Sequence, residues 1–271
     1  MTSASQATSP SPVTTTQTAL AAERFGVTAA AYLTSTVHAQ GEDLKRVGRI
    51  VHELAAAHAN GIDALDLGCG AGHVAFHMAE AGARVTACDL SDQMLAVVAE
   101  AAKARGLTQL ATQQSPAETL PFADHAFDLI CTRFSAHHWS DVAAALREVR
   151  RVLRPGGVFI VIDVVASEAP LLDTILQTVE ILRDASHVRD YRVSEWQAML
   201  QQAGFQEAVA SDTWKLHMEF ASWVARMRTP PVRVQAVRDV LSQAPSEAQE
   251  HFAIAPDSSF DIDVAFLRTS G

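Results

Sequence analysis

The chain has 271 residues, of which 48 % are hydrophobic and 19 % charged, enough to bury one large core without disulfide or metal staples. Its formal net charge of −10, with no Lys/Arg-rich run to offset it, supplies no attraction to phosphate backbones or anionic lipid, which disfavours nucleic-acid substrates. Cys69, Cys88 and Cys131 lie far apart in no disulfide or metal-ligand spacing and read as free thiols of a reducing, cytoplasmic compartment, and no apolar stretch is long enough to span a bilayer.

Residues 1–20 read as a disordered tail, because its first part is rich in Ser, Thr, Pro and Gln and has no apolar signal core. Two helices are expected next, over 29–37 and 42–58. The second carries Leu44, Val47, Ile50, Val51 and Leu54 at helical spacing, and Gly61 punctuates its end. From 61 to 165, short apolar runs at 62–67, 84–88, 127–131 and 158–162 alternate with amphipathic stretches. That alternation predicts a Rossmann-like, doubly wound α/β fold, with a mainly parallel sheet and helices on both faces. The last run is apolar at every position, as a strand buried on both sides requires.

Helix boundaries are encoded locally. Ser91 is a natural N-cap, with Leu90 and Leu95 placed as a hydrophobic staple for a helix running towards Arg105. A second helix is expected over 141–153, with Val142, Ala145, Leu146, Val149 and Leu153 on one face and Pro155-Gly156-Gly157 as its stop. Its cationic last turn, Arg150, Arg151 and Arg154, complements the negative helix end and reads as structural. Beyond Ala169 the pattern is mainly helical and closes on a strand at 260–267. The chain thus reads as one domain: lid helices over 21–60, a cofactor-binding core over 61–165, and acceptor-side helices with closing strands over 166–271.

The segment Leu65-Asp66-Leu67-Gly68-Cys69-Gly70-Ala71-Gly72-His73 stands where a strand gives way to a helix. Glycines there permit a sharp turn and close approach of the backbone to a ligand, although a tight turn alone could also use them. Asp89 ends the next apolar run, 21 positions after Gly68, where a carboxylate can accept hydrogen bonds from both hydroxyls of a ribose. Together the two features point to a nucleoside-bearing cofactor. A dinucleotide fingerprint requires Gly-x-Gly-x-x-Gly, but its sixth position here is His73, and the third glycine falls at Gly72.

The spacing Gly-x-Gly-x-Gly resembles the first motif of class I S-adenosylmethionine-dependent methyltransferases. Ala117-Glu118-Thr119-Leu120-Pro121-Phe122, followed by Phe127-Asp128-Leu129, resembles that family's adenine-site loop and fourth strand. Arg151-Val152-Leu153-Arg154-Pro155-Gly156-Gly157 resembles its turn into strand five. More narrowly, Arg133 with Ala136-His137-His138-Trp139 is similar to the ubiquinone/menaquinone-biosynthesis-like (methyltransferase type 11) subgroup. The resemblance covers about residues 61–165.

Carried over by position, it puts the methionine part of S-adenosylmethionine on Gly68 and Gly70, the ribose on Asp89, and Leu90 and Met94 beside the adenine. It implies that the backbone of Ala117 meets the adenine edge, where the family often has an acidic residue just before; this chain has Pro116, and Glu118 is the substitute. Arg133 is expected near the carboxylate end of the cofactor, and Tyr32 as a lid contact. Met94 and Tyr32 also suit plain packing roles.

Methyl transfer from a sulfonium is an in-line displacement that leaves S-adenosylhomocysteine, so the protein has to align the reactants and exclude water. A base is needed only if the acceptor must lose a proton, and His138 is the candidate, with His137 a substrate contact beside it. Both follow the fourth strand, at the edge where open α/β sheets bind ligands. Arg183, Asp184, His187 and Arg189 fall after strand five, where such enzymes build part of the acceptor pocket. Two arginines would suit a polar or anionic small-molecule acceptor, or else fasten that region through ion pairs. Two other readings stay open at this point: a non-catalytic S-adenosylmethionine-binding partner protein, and a nicotinamide-dependent oxidoreductase.

Overall fold

The structure is a computed structural model that describes residues 16–26, 41–206 and 209–271. Its centre is a seven-stranded sheet in the order β3-β2-β1-β4-β5-β7-β6. The strands are β1 (Asp63–Leu67), β2 (Arg84–Asp89), β3 (Leu110–Gln114), β4 (Phe127–Arg133), β5 (Leu153–Val164), β6 (Val209–Met218) and β7 (Phe260–Ser270). The first five are mutually parallel, whereas β7 runs antiparallel to both β5 and β6. Strand order reverses at β1, which has β2 on one side and β4 on the other, and the glycine loop leaves the sheet at this switch point.

The helices are α1 (Gln17–Gly26), α2 (Glu42–Ala57), α3 (His73–Glu80), α4 (Asp92–Ala104), α5 (Val142–Val152), α6 (Pro170–Arg183), α7 (Val193–Gln202), α8 (Phe220–Arg226), α9 (Pro231–Ser242) and α10 (Ser246–His251). Two cores back the sheet. On one face Leu44, Val47 and Val51 of α2 pack with Phe76 and Met78 of α3 and Val98 of α4. On the other, Leu146 and Val149 of α5 pack with Trp196 and Leu200 of α7. A third cluster joins α6, α8, α9 and α10 to the ends of β6 and β7.

The locally encoded boundaries are where the sequence sets them. Ser91 Oγ accepts from Met94 N at 3.3 Å at the head of α4, and Asp141 Oδ1 accepts from Ala144 N at 2.9 Å at the head of α5. Arg151 reaches Glu148, Asp124 and the carbonyls of Leu120 and Phe122, while Arg154 joins Asp63 to Asp128, so both tie loops to the sheet.

Four features differ from the sequence reading. Helical structure begins at Gln17, inside the stretch expected as tail. β3 forms from Leu-Ala-Thr-Gln-Gln, an edge strand whose exposed polar residues give no apolar run to detect. β5 runs through Pro155-Gly156-Gly157 rather than starting after it, and β6 joins β7. The helix expected over 29–37 lies outside the described residues. Among the described residues, no helix is long and apolar enough to cross a membrane.

Leu146 is fully buried between α5 and the sheet. Leu146→Ala is expected to destabilise the protein by about 2–5 kcal/mol, read as a lower denaturant midpoint at unchanged slope. Arg147→Ala, on the exposed face of the same helix, should stay within about 0.5 kcal/mol of the parent.

Candidate active site

The loop leaving β1 is pinned by its own backbone, since Gly68 N and Cys69 N both donate to the carbonyl of Cys88 at the end of β2, at 2.8 and 2.9 Å. Gly68 (φ +70°) has no room for a side chain, because a Cβ there would lie 1.8 Å from Ser135 Oγ. Gly70 (φ +50°) is different: a Cβ would meet nothing within 4 Å and would project into open space beside the loop. The helix that follows, α3, has Gly72 as its N-cap and so no capping side chain. Asp66 supplies the cap from within β1, accepting from Ala75 N at 2.8 Å. Its carboxyl is almost fully buried. Burial, reinforced by nearby Asp89 and opposed by the Ala75 amide and Arg133, raises it to about 7.

Asp89 closes the loop from the other side. Its Oδ2 accepts from Gly70 N at 2.8 Å and its Oδ1 from Ser91 N at 2.9 Å, while burial pushes its pKa up against those amides. From here a cavity of about 180 Å³ extends over the carboxyl ends of the strands. It brings together Gly68, Gly70, Asp89, Leu90, Met94, Ala117, Glu118 and Arg133 with His137, His138, Arg183 and Asp184. His187 and Arg189 are not in its lining. Arg189 instead pairs with Asp173 and Glu195, and His187 Nε2 bonds Gln177 Oε1 at 3.0 Å, so these two fasten the segment after α6. Tyr32 lies outside the described residues.

Several of the lining side chains already have partners. Glu118 Oε1 alone accepts from Ser140 N, Ser140 Oγ and Asp141 N. Arg133 pairs with Asp43 of α2 at 2.5 Å, both side chains being under a tenth exposed, and lies over the Phe134 ring. Arg183 pairs with Glu180 at 3.2 Å and stacks 4.8 Å from the Trp223 ring centroid. Asp184 Oδ1 accepts from Ser186 N and Oγ, both at 2.8 Å, whereas its buried Oδ2 has no hydrogen-bond partner among the described residues.

Two histidines on the short 3₁₀ turn Ala136–His138 share this wall, with ring centroids 4.2 Å apart. His137 Nδ1 bonds Asp163 Oδ1 at 2.6 Å. Burial works against its charge, but Asp163, with Asp190 and Glu180 behind it, outweighs burial and raises His137 to about 9. His138 donates from Nδ1 to the Ser186 carbonyl at 3.1 Å. Burial and then the His137 charge depress it to about 3. A base that weak holds an acceptor's proton poorly at neutral pH, which argues against the base role expected for His138.

Some of the lining was not singled out in the sequence. Asp66, Glu180, Trp223 and Arg226 line the cavity, as do Thr18, Ala21 and Ala22 of α1, and Asp163 holds His137 from the end of β5. Asp163 carried a usable signal, since it ends an apolar run as Asp89 does. Glu180 and Trp223 carried none, because they meet only through the packing of α6 on α8.

Gly70→Ala is expected to leave the fold intact at a cost of about 1–2 kcal/mol for the left-handed backbone, yet to weaken nucleoside-cofactor binding by at least about tenfold (about 1.4 kcal/mol) in calorimetry. Gly68→Ala should also lower the melting temperature, as Ser135 has to move. Asp66 provides a pH test. Its folded value of about 7 exceeds the ordinary value of about 4, so its contribution to stability is full below about pH 4 and is lost as pH rises to about 7. Asp66→Asn, which keeps an acceptor for Ala75 N, should flatten melting temperature against pH across that window.

The family described as methyltransferase domain matches residues 65–161. The chain is 48 % identical over 197 residues to the uncharacterized protein YafE of Escherichia coli (strain K12), covering 72 % of this chain and 94 % of that one. It is 38 % identical over 232 residues to the uncharacterized methyltransferase YcgJ of Bacillus subtilis (strain 168), covering 85 % and 88 %. The crystal structure of YcgJ superposes with a TM-score of 0.77 over 83 % of this chain and 98 % of that one, at 33 % identity. Likeness to the ubiquinone/menaquinone biosynthesis C-methyltransferase UbiE of Nitrobacter hamburgensis, 40 % over 115 residues, covers 41 % of this chain and 46 % of that protein. The switch-point glycine loop, its strand-end aspartate and these likenesses agree: the chain belongs to the S-adenosylmethionine-dependent methyltransferases.

Proposed function

We propose that this methyltransferase acts on a small-molecule acceptor, which enters the cofactor's own cavity and is held against α6 and α8. One observation carries the reading: a single cavity joins Gly68, Gly70 and Asp89 at one end to Glu180, Arg183 and Trp223 at the other. Between them, Val164, Leu216, Met218 and Ile262 provide apolar wall. Such a lining suits a compact acceptor with an apolar body and one polar group. The net charge of −10 weighs against a nucleic acid, and three unpaired buried thiols support a cytoplasmic setting.

The residues at the cofactor end fit S-adenosylmethionine. Gly70 leaves space where a side chain would intrude, and Asp89 is a half-buried carboxylate able to exchange backbone donors for ribose hydroxyls. Leu90 and Met94 offer apolar surface to an adenine, Ala117 a backbone edge, and Arg133 with Asp43 a polar corner for the amino-acid end. When bound, the cofactor supplies a methyl group on a sulfonium sulfur, open to in-line displacement. The chain's task is to align the acceptor with that carbon and keep water out. Thr18, Ala21 and Ala22 of α1 close one side of the cavity, and Gln17 Nε2 bonds the Ser186 carbonyl. That contact gives the N-terminal helix a lid role over the acceptor end.

Titration with S-adenosylmethionine in a calorimeter, followed by incubation of the complex with a metabolite pool, should give binding and then release of S-adenosylhomocysteine. Binding without release from any pool of small metabolites would overturn the small-molecule acceptor. Asp89→Ala should weaken binding by about 10- to 100-fold, as loss of a charge-assisted contact costs about 1.5–3 kcal/mol. Unchanged affinity would remove the ribose assignment.

A further inference from the structure

Asp163, at the end of β5, is almost fully buried, and every bond it makes points one way. Oδ2 accepts from Ala136 N at 2.9 Å; Oδ1 accepts from Val164 N at 2.9 Å and from His137 Nδ1 at 2.6 Å. Two backbone amides thus fix the carboxylate, and the carboxylate fixes the imidazole. With Nδ1 committed, Nε2 is the atom left to act, and it makes no hydrogen bond to a described residue. The 15 % of the side chain that stays accessible belongs to a residue lining the cavity. The segment after α6 holds the backbone of this turn, since Val188 N and Arg189 N both donate to the His137 carbonyl.

We propose that Asp163 and His137 form an acid–base dyad at the acceptor end, with Asp163 the positioning residue and His137 Nε2 the atom that takes the proton of an acidic acceptor hydroxyl. The inference rests on the reading that acceptor and cofactor share this cavity. In the step, the acceptor X–H bond breaks, its proton goes to Nε2 and its electron pair stays on X. X then bonds the methyl carbon as the carbon–sulfur bond breaks with its pair remaining on sulfur, and the dyad later returns the proton to water. A carboxylate that holds Nδ1–H and stabilises the imidazolium is the arrangement this chemistry uses on unrelated folds.

The charged and titratable groups facing His137 are Asp163 from β5, Glu180 from α6, His138 on its own turn, and Asp184, His187 and Asp190 from the segment after α6. Glu180 is paired with Arg183. Burial pushes Asp190 well up and His187 down to about 3, and Asp163, whose Oδ1 lies 2.6 Å from Nδ1, is the carboxylate in direct contact with the ring. His137 is raised to about 9, so at neutral pH most rings already carry a proton on Nε2; the step runs through the neutral form, and proton uptake from the acceptor should rise as pH approaches about 9.

The test uses 4-nitrophenol, whose ionised form absorbs in the visible, added to the full chain saturated with S-adenosylhomocysteine. Bound to the parent protein, the phenol should ionise at least about tenfold more readily than free in solution, a shift of one pKa unit or more. Asp163→Asn and His137→Gln should each abolish the shift while leaving S-adenosylhomocysteine affinity within about twofold. Histidine ¹⁵N spectra provide a measurement independent of the probe: His137 should carry its proton at neutral pH in the parent and lose it in Asp163→Asn. Nitrophenol bound in its neutral form, failure to bind at all, or an equal shift in Asp163→Asn overturns the dyad. Failure of S-adenosylhomocysteine itself to bind would instead overturn the cofactor reading beneath it.

Discussion

The site depends on one physical requirement: loops that must stay open to a ligand still have buried backbone N–H groups to satisfy. Three aspartates at or near the carboxyl ends of strands meet it. Asp66 takes Ala75 N, Asp89 takes Gly70 N and Ser91 N, and Asp163 takes Ala136 N and Val164 N. Each carboxylate replaces a backbone partner that a closed turn would have provided, so the loops keep their shape without filling the cavity. The cost is two acids, Asp66 and Asp163, drawn out of water and a third, Asp89, partly so, at one edge of the sheet. Amide donors and, for Asp163, a charged imidazole offset it.

This arrangement explains why the cofactor half was legible in the sequence and the acceptor half was not. The glycine loop, Asp89, the Ser91 cap and the amphipathic stripe of α5 are written within short windows, where a period or a cap has a local physical cause. Arg133 is expected in the cavity through the family resemblance, although its partner Asp43 lies on a helix far away in sequence. Glu118 and Pro116 show the limit of such reading. The resemblance implies an adenine contact for Glu118, while the structure engages its carboxylate with Ser140 and Asp141.

The proposed acceptor end is assembled from α1, α6, α8 and the antiparallel pair β6 and β7, and no short window of sequence joins them. Arg183, Asp184, His187 and Arg189 looked like one cluster because they are close in the chain. Folding separates them: the first two face the cavity, and the last two anchor the segment behind it. Likeness to YafE and YcgJ runs through most of the chain, whereas likeness to UbiE covers 41 % of it, so shared cofactor chemistry does not carry shared acceptor chemistry with it.

The place of β7 between β5 and β6 has a consequence for how the molecule is made. The parallel strands β1 to β5 can pair in the order in which they leave the ribosome, each beside one already present. β6 has no such partner, because it reaches the sheet only through β7, which is synthesised after it. The wall proposed to meet the acceptor is therefore the last part of the sheet to form. During synthesis the nascent chain carries a nearly finished cofactor cradle with one side still open, and the unpaired edge of β5 is the surface it must keep from other chains until β7 arrives.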